Sequence, residues 1–410
     1  MRPTTRTTVI LLFAAWCIDF IDRTVIGVAL PAIGDDLGLG HGQLGLVVSV
    51  FFLAYALAQL PGGLLADRFG AVRVAVAGLI AWSVFTGLTA AAMSFGALIL
   101  IRILFGLAQG LFPSAAMKLL TERSTPEERM TANGWVNSSN AVGIVLAMVI
   151  AAALIPLLGW RGMFIAISVL GLAITVTFAR RMPAPLYPAD PTPPSRTTKA
   201  LLRSPTMWLF SIAFFGYDII VWGANAWAPS YLQEELGVSA SASALLLLPA
   251  GLCAAASIII AGRYSDRIGG RPRPLIVPGM SIATIGVLVL PHVPGVAGFV
   301  IVATITVTAA ATAYIGAFSV PLKALAPTFS GVGAAMILMG GMVAGVVAPT
   351  LFGAIVDSSG WSAAWAALAV GGVISIVTTL FLPRDIEGFR RRVAPELLFT
   401  EPTAVTAGKA

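Results

Sequence analysis

The fold of this chain is decided by the stretch Gly63-Leu-Leu-Ala-Asp67-Arg68-Phe-Gly70-Ala-Val-Arg73, because the same pattern returns as Gly262-Arg-Tyr-Ser-Asp266-Arg267-Ile-Gly269-Gly-Arg271. The two copies are offset by 199 residues. The same offset relates Asp35-Asp36-Leu37-Gly38 to Glu234-Glu235-Leu236-Gly237, and Asp19 to Asp218. Three independent matches at one spacing indicate an internal duplication, so that both halves of the chain are expected to fold on one plan.

The composition shows what kind of fold is duplicated. Of 410 residues, 58% are apolar and 10% are charged, and the mean hydropathy is +0.93. These values indicate a helical membrane protein rather than a soluble domain. Twelve apolar stretches have spanning length, at about 9–32, 43–66, 72–93, 96–118, 131–156, 161–180, 206–231, 240–263, 274–292, 295–321, 329–356 and 361–382. We therefore predict an all-α membrane protein with twelve transmembrane helices in two pseudo-symmetric six-helix halves.

A proline-rich segment divides the halves. Residues 181–205 carry repeated prolines among Arg and Thr, which is typical of a linker. We predict an N-terminal six-helix bundle over 1–180 and a cytoplasmic linker over 181–205. A C-terminal six-helix bundle over 206–383 and a cytoplasmic tail over 384–410 follow. The first apolar stretch is not expected to be a cleaved signal peptide, because acidic and basic residues interrupt it.

The net charge of +7 is explained by topology. With the N-terminus in the cytoplasm, all of the 25 Lys and Arg residues except Arg23, Arg102 and Arg161 fall on the cytoplasmic side. Acidic residues such as Glu234 and Asp357 lie in the outer loops instead. This asymmetry predicts a multi-pass protein with both termini in the cytoplasm, and it gives no reason to expect a nucleic-acid partner.

Residue types used by enzymes and metal sites are scarce. His41 and His292 lie in predicted loops, where we interpret them as solvated and assign them no role. Cys17 and Cys253 lie within predicted spans and imply neither a disulfide framework nor a metal cluster. A Ser, His and Asp set or a phosphate loop is not evident either. We expect no enzymatic activity, no metal and no cofactor.

Five ionisable side chains interrupt the predicted spans: Asp19, Asp22 and Arg23 in the first, Arg102 in the fourth and Asp218 in the seventh. A charge at the bilayer centre costs about 2.5–3.5 kcal/mol on insertion scales, so such residues are usually functional. The spacing i, i+3 and i+4 predicts that the three residues of the first span share one helix face.

These charges suggest a binding site for an anion and a proton. Arginine presents a planar fork that suits a carboxylate, so Arg23 and Arg102 are predicted to bind one. The five charges sum to −1, and protonating one acid would remove that cost. Asp22 is the predicted proton carrier, with Asp19 and Asp218 as weaker candidates. The alternative is an internal ion-pair network that holds helices together and never touches a substrate.

Polar and aromatic side chains accompany this cluster. Tyr55 in the second span, Asn140 in the fifth, and Tyr217 and Trp222 in the seventh are candidates for substrate contact. Polar groups among apolar walls are what a small-ligand site requires. Hydrogen bonds between helices are an equally good explanation for most of them.

The loop from Gly63 to Arg73 matches the signature of the major facilitator superfamily, and the chain resembles that family over nearly its whole length. The resemblance implies alternating access around a midplane site. It also implies a conformational latch formed by Asp67, Arg68, Arg73, Asp266 and Arg267. The Asp is expected to form a charge-assisted bond with Arg in the adjacent loop.

A narrower resemblance is to the anion:cation symporters, which include permeases for hexuronates, galactonate, glucarate and phthalate-type acids. It is carried by Ile21-Asp22-Arg23, Ser49-x-Phe51-Phe52-x-x-Tyr55, Arg102-x-x-x-Gly106 and Gly159-Trp160-Arg161. Much of that branch has a coupling Glu seven residues after the helix-4 Arg, where this chain has Gln109. Gln109 shares a face with Arg102 and is a candidate substrate ligand, but it does not titrate.

The sequence thus predicts a proton-coupled symporter for a small organic anion, a carboxylate or sugar acid. It is expected to act as a monomer in a bacterial inner membrane, with the anion, protons and the lipid bilayer as its partners. The alternative is a proton-coupled exporter of drugs or metabolites. Many such antiporters carry a Gly-Pro motif in helix 5, and the run Asn137-Ser-Ser-Asn140-Ala-Val-Gly143 has no proline there.

Overall fold

The computed structural model describes residues 1–186, 201–325 and 327–393. Most of the predicted linker and most of the predicted tail lie outside these residues. The described chain is built from helices, which are α1 (Pro3–Leu37), α2 (His41–Phe69), α3 (Ala71–Thr89), α4 (Phe95–Gly110), α5 (Phe112–Glu122), α6 (Pro126–Arg181), α7 (Pro205–Glu234), α8 (Ala240–Arg267), α9 (Arg273–Val289), α10 (Gly295–Tyr314), α11 (Val320–Ala324), α12 (Pro327–Phe381) and α13 (Ile386–Arg392).

These helices account for the twelve predicted spans. Nine helical stretches of the described chain are long and apolar enough to cross a membrane. Two of them, α6 and α12, each contain two spans, because the backbone breaks at Gly159 (φ 66°) and Gly360 (φ 81°). The remaining span is α1, which contains the charged residues Asp19, Asp22 and Arg23. The prediction of twelve transmembrane helices in two halves is confirmed.

The repeat is visible in the backbone as well as in the sequence. A glycine in the left-handed region follows the first helix of each half: Gly38 (φ 63°) comes directly after α1, and Gly237 (φ 64°) lies in the turn after α7. The signature loops contain a second such pair, Gly70 (φ 88°) and Gly269 (φ 67°). Glycine adopts positive φ without steric penalty, so these positions set the same turns in both halves.

Packing follows the same plan in each half. In the first half α1 packs along α6, and in the second half α7 packs along α12. The halves meet where α2 contacts α12, α6 contacts α8 and α1 contacts α7. Large apolar side chains point outward around the bundle, including Leu157, which is 77% exposed. Such a surface suits lipid rather than water.

The two ends of the bundle differ in how the halves are joined. We call them the His41 end, where α1 leads into α2, and the Asp67 end, where α2 leads into α3. All hydrogen bonds that link the two halves within the described residues lie toward the His41 end. They join His41 to Glu234 and Asp357, Gly42 to Asp357, Gln233 to the carbonyl of Val28, and Thr350 to Ser49.

At the Asp67 end the predicted latch residues pair differently from the prediction. Asp67 accepts a hydrogen bond from Lys118 of α5 over 2.6 Å, and Asp266 pairs with Lys323 of α11. The expected Asp–Arg bonds are not formed, since Arg68 lies over the ring of Phe69 and the lysines approach the carboxylates from the next helix of the same half. Both pairs stay within one half. A latch role for Arg73 and Arg267 stays a prediction.

Glycines allow the helices of the first half to approach closely, and this gives a prediction about stability. A Cβ atom on Gly110 would overlap the backbone oxygen of Tyr55 and lie 2.8 Å from the Cβ atom of Ala58. Gly110→Ala should therefore destabilise the protein by about 1–3 kcal/mol. The thermal unfolding midpoint of purified protein measures this change.

Gly134 provides the matched control, because a Cβ atom there meets nothing within 4 Å. Gly134→Ala should leave the midpoint unchanged or raise it slightly, as alanine favours helix. Equal effects of the two substitutions would contradict the packing described for α2 and α4.

Candidate functional site

A buried arginine near the middle of α1 is the centre of the candidate site. Arg23 Nη2 lies 3.0 Å from both carboxylate oxygens of Asp19, one helical turn earlier. Its Nε atom donates a hydrogen bond of 3.0 Å to Oε1 of Gln109 on α4. The Asp19 side chain is fully buried, so the pair is an ion pair in a low-dielectric interior. One acid, one base and one amide are thus fixed between α1 and α4.

Aromatic rings form one wall of this site. The guanidinium carbon of Arg23 lies 4.2 Å from the ring centre of Tyr55 on α2 and 5.6 Å from that of Phe51. Phe51 contacts Phe52, whose ring centre is 4.6 Å from that of Trp222 on α7. The wall therefore runs from Arg23 in the first half to Trp222 in the second half. The site lies at the seam between the halves.

Asp22 faces a different direction from its neighbour Arg23. Its carboxylate accepts a hydrogen bond of 3.0 Å from Thr86 Oγ1 on α3, and it attracts the guanidinium of Arg102 on α4 electrostatically. The side chain of Arg102 lies against the rings of Phe105 and Phe164. Its Nε and Nη2 atoms have no hydrogen-bond partner among the described residues, although Arg102 is only 3% exposed. Two strong donors are thus free beside Asp22.

The predicted single face of α1 is therefore divided into two clusters. Successive residues of a helix are about 100° apart, so Asp22 points into the first bundle while Asp19 and Arg23 point toward Gln109. The prediction that Asp19 and Arg23 meet matches the structure. The prediction that Asp22 joins them on one face does not, because Thr86 holds Asp22 toward α3.

The equivalent region of the second half contains one buried carboxylate, Asp218, surrounded by small and aromatic residues. Asp218 on α7 is buried, and it packs against Gly341 of α12, where an added Cβ atom would overlap its carboxylate. The offset of 199 residues pairs Asp218 with Asp19, but it pairs Arg23 with Trp222. Asp218 consequently has no basic residue in the position that Arg23 occupies. Tyr217 packs among aromatic rings, 5.4 Å from Phe214 between ring centres.

Three of the predicted ligands, Gln109, Trp222 and Asn140, differ in their surroundings. The Nε2 atom of Gln109 and the Nε1 atom of Trp222 are buried, and neither has a hydrogen-bond partner in the part of the chain that the structure describes. Both are donors that an acceptor oxygen would satisfy. Asn140 on α6 is exposed, and one turn further along its face Ile144 approaches Gly251 of α8. Asn140 therefore lies beside the contact between α6 and α8.

His41 was missed by the sequence analysis, which assigned it no role. Its ring nitrogens lie 2.7 Å from Glu234 Oε2 and 2.8 Å from Asp357 Oδ1, so it joins α2 to two helices of the other half. The sequence did contain one indication of this contact: His41, Glu234 and Asp357 were all predicted to lie at the same face of the membrane. No spacing rule brings them together, because they come from three separate helices.

Comparison with known proteins identifies the class of this fold and site. Residues 12–337 match the family described as Major Facilitator Superfamily. This match covers more than half of the chain, and the chain belongs to that family. It is a membrane transporter and not an enzyme.

Individual relatives are transporters of organic acids by name. The chain is 31% identical over 252 residues to the hexuronate transporter of Bacillus subtilis (strain 168), covering 59% of this chain and 60% of that protein. It is 29% identical over 310 residues to a probable L-galactonate transporter of Escherichia coli (strain K12), covering 70% and 68% respectively.

A solved structure supports the fold independently. The crystal structure of a bacterial homologue of the human lysosomal transporter Spinster, in an inward-facing and unoccupied conformation, matches with a TM-score of 0.84. The match covers 96% of this chain and 99% of that chain at 20% sequence identity. At this identity the likeness concerns the fold alone.

The buried pair of Asp19 and Arg23 gives a prediction about stability. Arg23→Met leaves the Asp19 carboxylate buried without its partner, which should destabilise the protein by about 3–5 kcal/mol. The double variant Asp19→Asn, Arg23→Met removes both charges and should recover most of this loss. Thermal unfolding of the purified variants at pH 7 measures both effects. If the double variant were as unstable as the single variant, the loss of stability could not be attributed to the unpaired Asp19 carboxylate.

Proposed function

We propose that the protein is a secondary active transporter for a small organic anion, a carboxylate or sugar acid, and that it works by proton-coupled symport with alternating access. The observation that carries this proposal is the pair of buried arginine side chains, Arg23 on α1 and Arg102 on α4, both in the first half. The names of the hexuronate and galactonate relatives agree with an acidic substrate.

The anion is proposed to bind between the two arginines and the aromatic wall. Arg102 has two free donors, and Gln109 has a free amide N–H group beside Arg23. A carboxylate has two acceptor oxygens that match such donors. Tyr55 and Trp222 would cover the carbon skeleton of the substrate, because an apolar wall with a few oriented polar groups is the usual form of a ligand site.

The proton is proposed to bind at Asp22. Asp19 already has Arg23 as its partner, and Gln109 carries no titratable group. Asp22 attracts Arg102 without forming an ion pair within hydrogen-bond distance. When Asp22 takes up a proton, it no longer competes with the substrate for Arg102. Proton and anion would therefore favour each other's binding, which is the linkage that symport requires.

Asp218 is the second candidate for the proton. It is buried on α7 and lacks the arginine that its counterpart Asp19 has. An unpaired carboxylate in a low-dielectric interior is costly, and one bound proton removes that charge. Because its helix α7 contacts α1 across the seam, proton binding at Asp218 would be coupled to the movement of one half against the other.

We further propose that the His41 end faces outward and that the Asp67 end faces the cytoplasm of a bacterial cell. The basic residues predicted on the cytoplasmic side agree with this orientation. With cross-half bonds only at the His41 end of the described chain, this structure would be closed outside and open inside. The six-helix halves bounded at 1–180 and 206–383 are the proposed moving units, and a monomer would contain the whole site.

A transport assay tests the anion site. Purified protein in liposomes should accumulate a hexuronate or aldonate when an inward proton gradient is imposed. Arg102→Ala should reduce uptake at least tenfold, because the carboxylate loses its charged donor, while Arg180→Ala at the Asp67 end should not. Uptake of organic cations in exchange for protons, unaffected by Arg102→Ala, would instead establish the exporter alternative.

The proposed proton carrier gives a separate prediction. Asp22→Asn imitates the protonated state, so it should retain exchange of labelled anion across the membrane but lose accumulation driven by the proton gradient. Asp19→Asn serves as the comparison, since Asp19 is occupied by Arg23. Gradient-driven accumulation by Asp22→Asn at the parent rate would assign the proton to another carboxylate, with Asp218→Asn as the next variant.

A further inference from the structure

The three-residue cluster at the His41 end joins three helices. His41 begins α2, Glu234 ends α7, and Asp357 lies on α12 just before the break at Gly360. The backbone amides of His41 and Gly42 also donate to Asp357, over 3.0 Å and 2.7 Å. All of these bonds run between the two halves. The cluster is therefore a connection across the seam and not a local cap.

Close approach at this point depends on small residues. A Cβ atom on Gly42 would lie 3.3 Å from Asp357 Oδ2, and one on Gly353 would overlap the carbonyl oxygen of His41. The imidazole is flanked by Trp227 and Trp361, with ring centres 5.7 Å and 5.4 Å away. The imidazole is therefore packed between two tryptophan rings while its nitrogens contact the carboxylates.

The protonation state of the imidazole decides how strong this connection is. A neutral imidazole carries one N–H group, so only one of its two nitrogens donates a hydrogen bond. Here both nitrogens lie within 2.8 Å of a carboxylate oxygen. Only the imidazolium satisfies both contacts, and it adds a positive charge between two negative ones. Protonation therefore converts a partly repulsive contact into two charge-assisted bonds.

Other charged groups near the cluster do not remove the preference of the two carboxylates for a protonated His41. From α7, Glu234 acts directly on His41, and Glu235 is the next residue after the helix. From α12, Asp357 acts directly. Asp36 at the end of α1 is paired with Arg161 of its own half. Within the described residues, no Lys or Arg pairs with Glu234 or Asp357.

The cluster is also open to water, unlike the carboxylates of the central site. The side chains of His41, Glu234 and Asp357 are 25%, 31% and 41% exposed. A proton from the solution at this end reaches them directly. Histidine titrates near pH 6.5 in the absence of neighbours, so the connection responds within the range that bacteria meet outside the cell.

We propose that His41, Glu234 and Asp357 form a second proton-binding site, at the outer entrance, whose occupation holds the two halves together there. This inference rests on the alternating access proposed above and adds a proton site that is separate from Asp22. The bonds exist only when the His41 end is closed, so that state binds the proton more tightly than the open state. Acidification outside would close the entrance behind an incoming substrate.

The sign of the pH dependence follows from this linkage. The closed state has the full benefit of the extra bonds below the ordinary His pKa of about 6.5, and it loses that benefit as the pH rises beyond the pKa of His41 in the closed state. Since the groups are partly exposed, the ratio of closed to open molecules should rise roughly two- to tenfold between pH 8 and pH 5.5.

Distances between spin labels measure this ratio without any substrate. Gly96→Cys on α4 and Ser359→Cys on α12 place one label in each half, in a Cys253→Ser background that leaves only the buried Cys17. In lipid nanodiscs, the population with the shorter distance should increase on acidification. His41→Gln should abolish this pH response, and Glu234→Gln should reduce it from the other half.

His292, the second histidine of the chain, provides the control. His292→Gln should keep the full pH response. A response that survives in His41→Gln, is lost equally in His292→Gln, or is absent from the parent protein would overturn the proposal. Because no anion takes part, these outcomes are independent of whether Arg23 and Arg102 bind a carboxylate.

Discussion

The ion pair between Arg23 and Asp19 is the interaction on which the rest of this site depends. A lone charge in the middle of a membrane protein is costly, and each of these residues removes much of that cost for the other. Their pairing fixes the direction of the Arg23 side chain, which then holds Gln109 and lies over Tyr55. The arrangement of the proposed ligand groups Arg23, Gln109 and Tyr55 thus depends on one neutralised pair.

The internal duplication explains the features that the two halves share. The candidate site arises from residues that differ between the halves. The two halves share their turn glycines, their Asp–Lys pairs at the Asp67 end and the position of Asp19 and Asp218. The arginines proposed as ligands are both in the first half, and Trp222 stands where the repeat would place a counterpart of Arg23. An anion would therefore bind to one half and meet an aromatic surface of the other. In the proposed transport cycle, the halves could move apart without separating the ion pair of Asp19 and Arg23, because both residues belong to α1.

Most of the fold was predictable from the sequence, since a twenty-residue apolar stretch has few alternatives to a spanning helix. The repeat could be recognised from the glycines of the two signature loops. The same glycines adopt positive φ and so shape the turns. The pairing of Asp19 with Arg23 was also predictable from their i, i+4 spacing. The direction of Asp22 was not, because it depends on the Thr86 hydroxyl of another helix. The contacts of His41 and Lys118 were unpredictable for the same reason, as each partner comes from a distant part of the chain.

The central claim is that two buried arginines form an anion site, and ligand-induced thermal stabilisation tests it most directly. Purified protein is heated with a panel of sugar acids, other carboxylates and organic cations, in parallel with Arg23→Ala, Arg102→Ala and the surface control Arg180→Ala. A ligand at one hundred times its Kd stabilises the folded state by about 2.7 kcal/mol, which shifts the unfolding midpoint measurably. The account predicts that a carboxylate stabilises the parent protein and Arg180→Ala, but neither variant of the buried arginines. Stabilisation by organic cations that persists in both of those variants would contradict it.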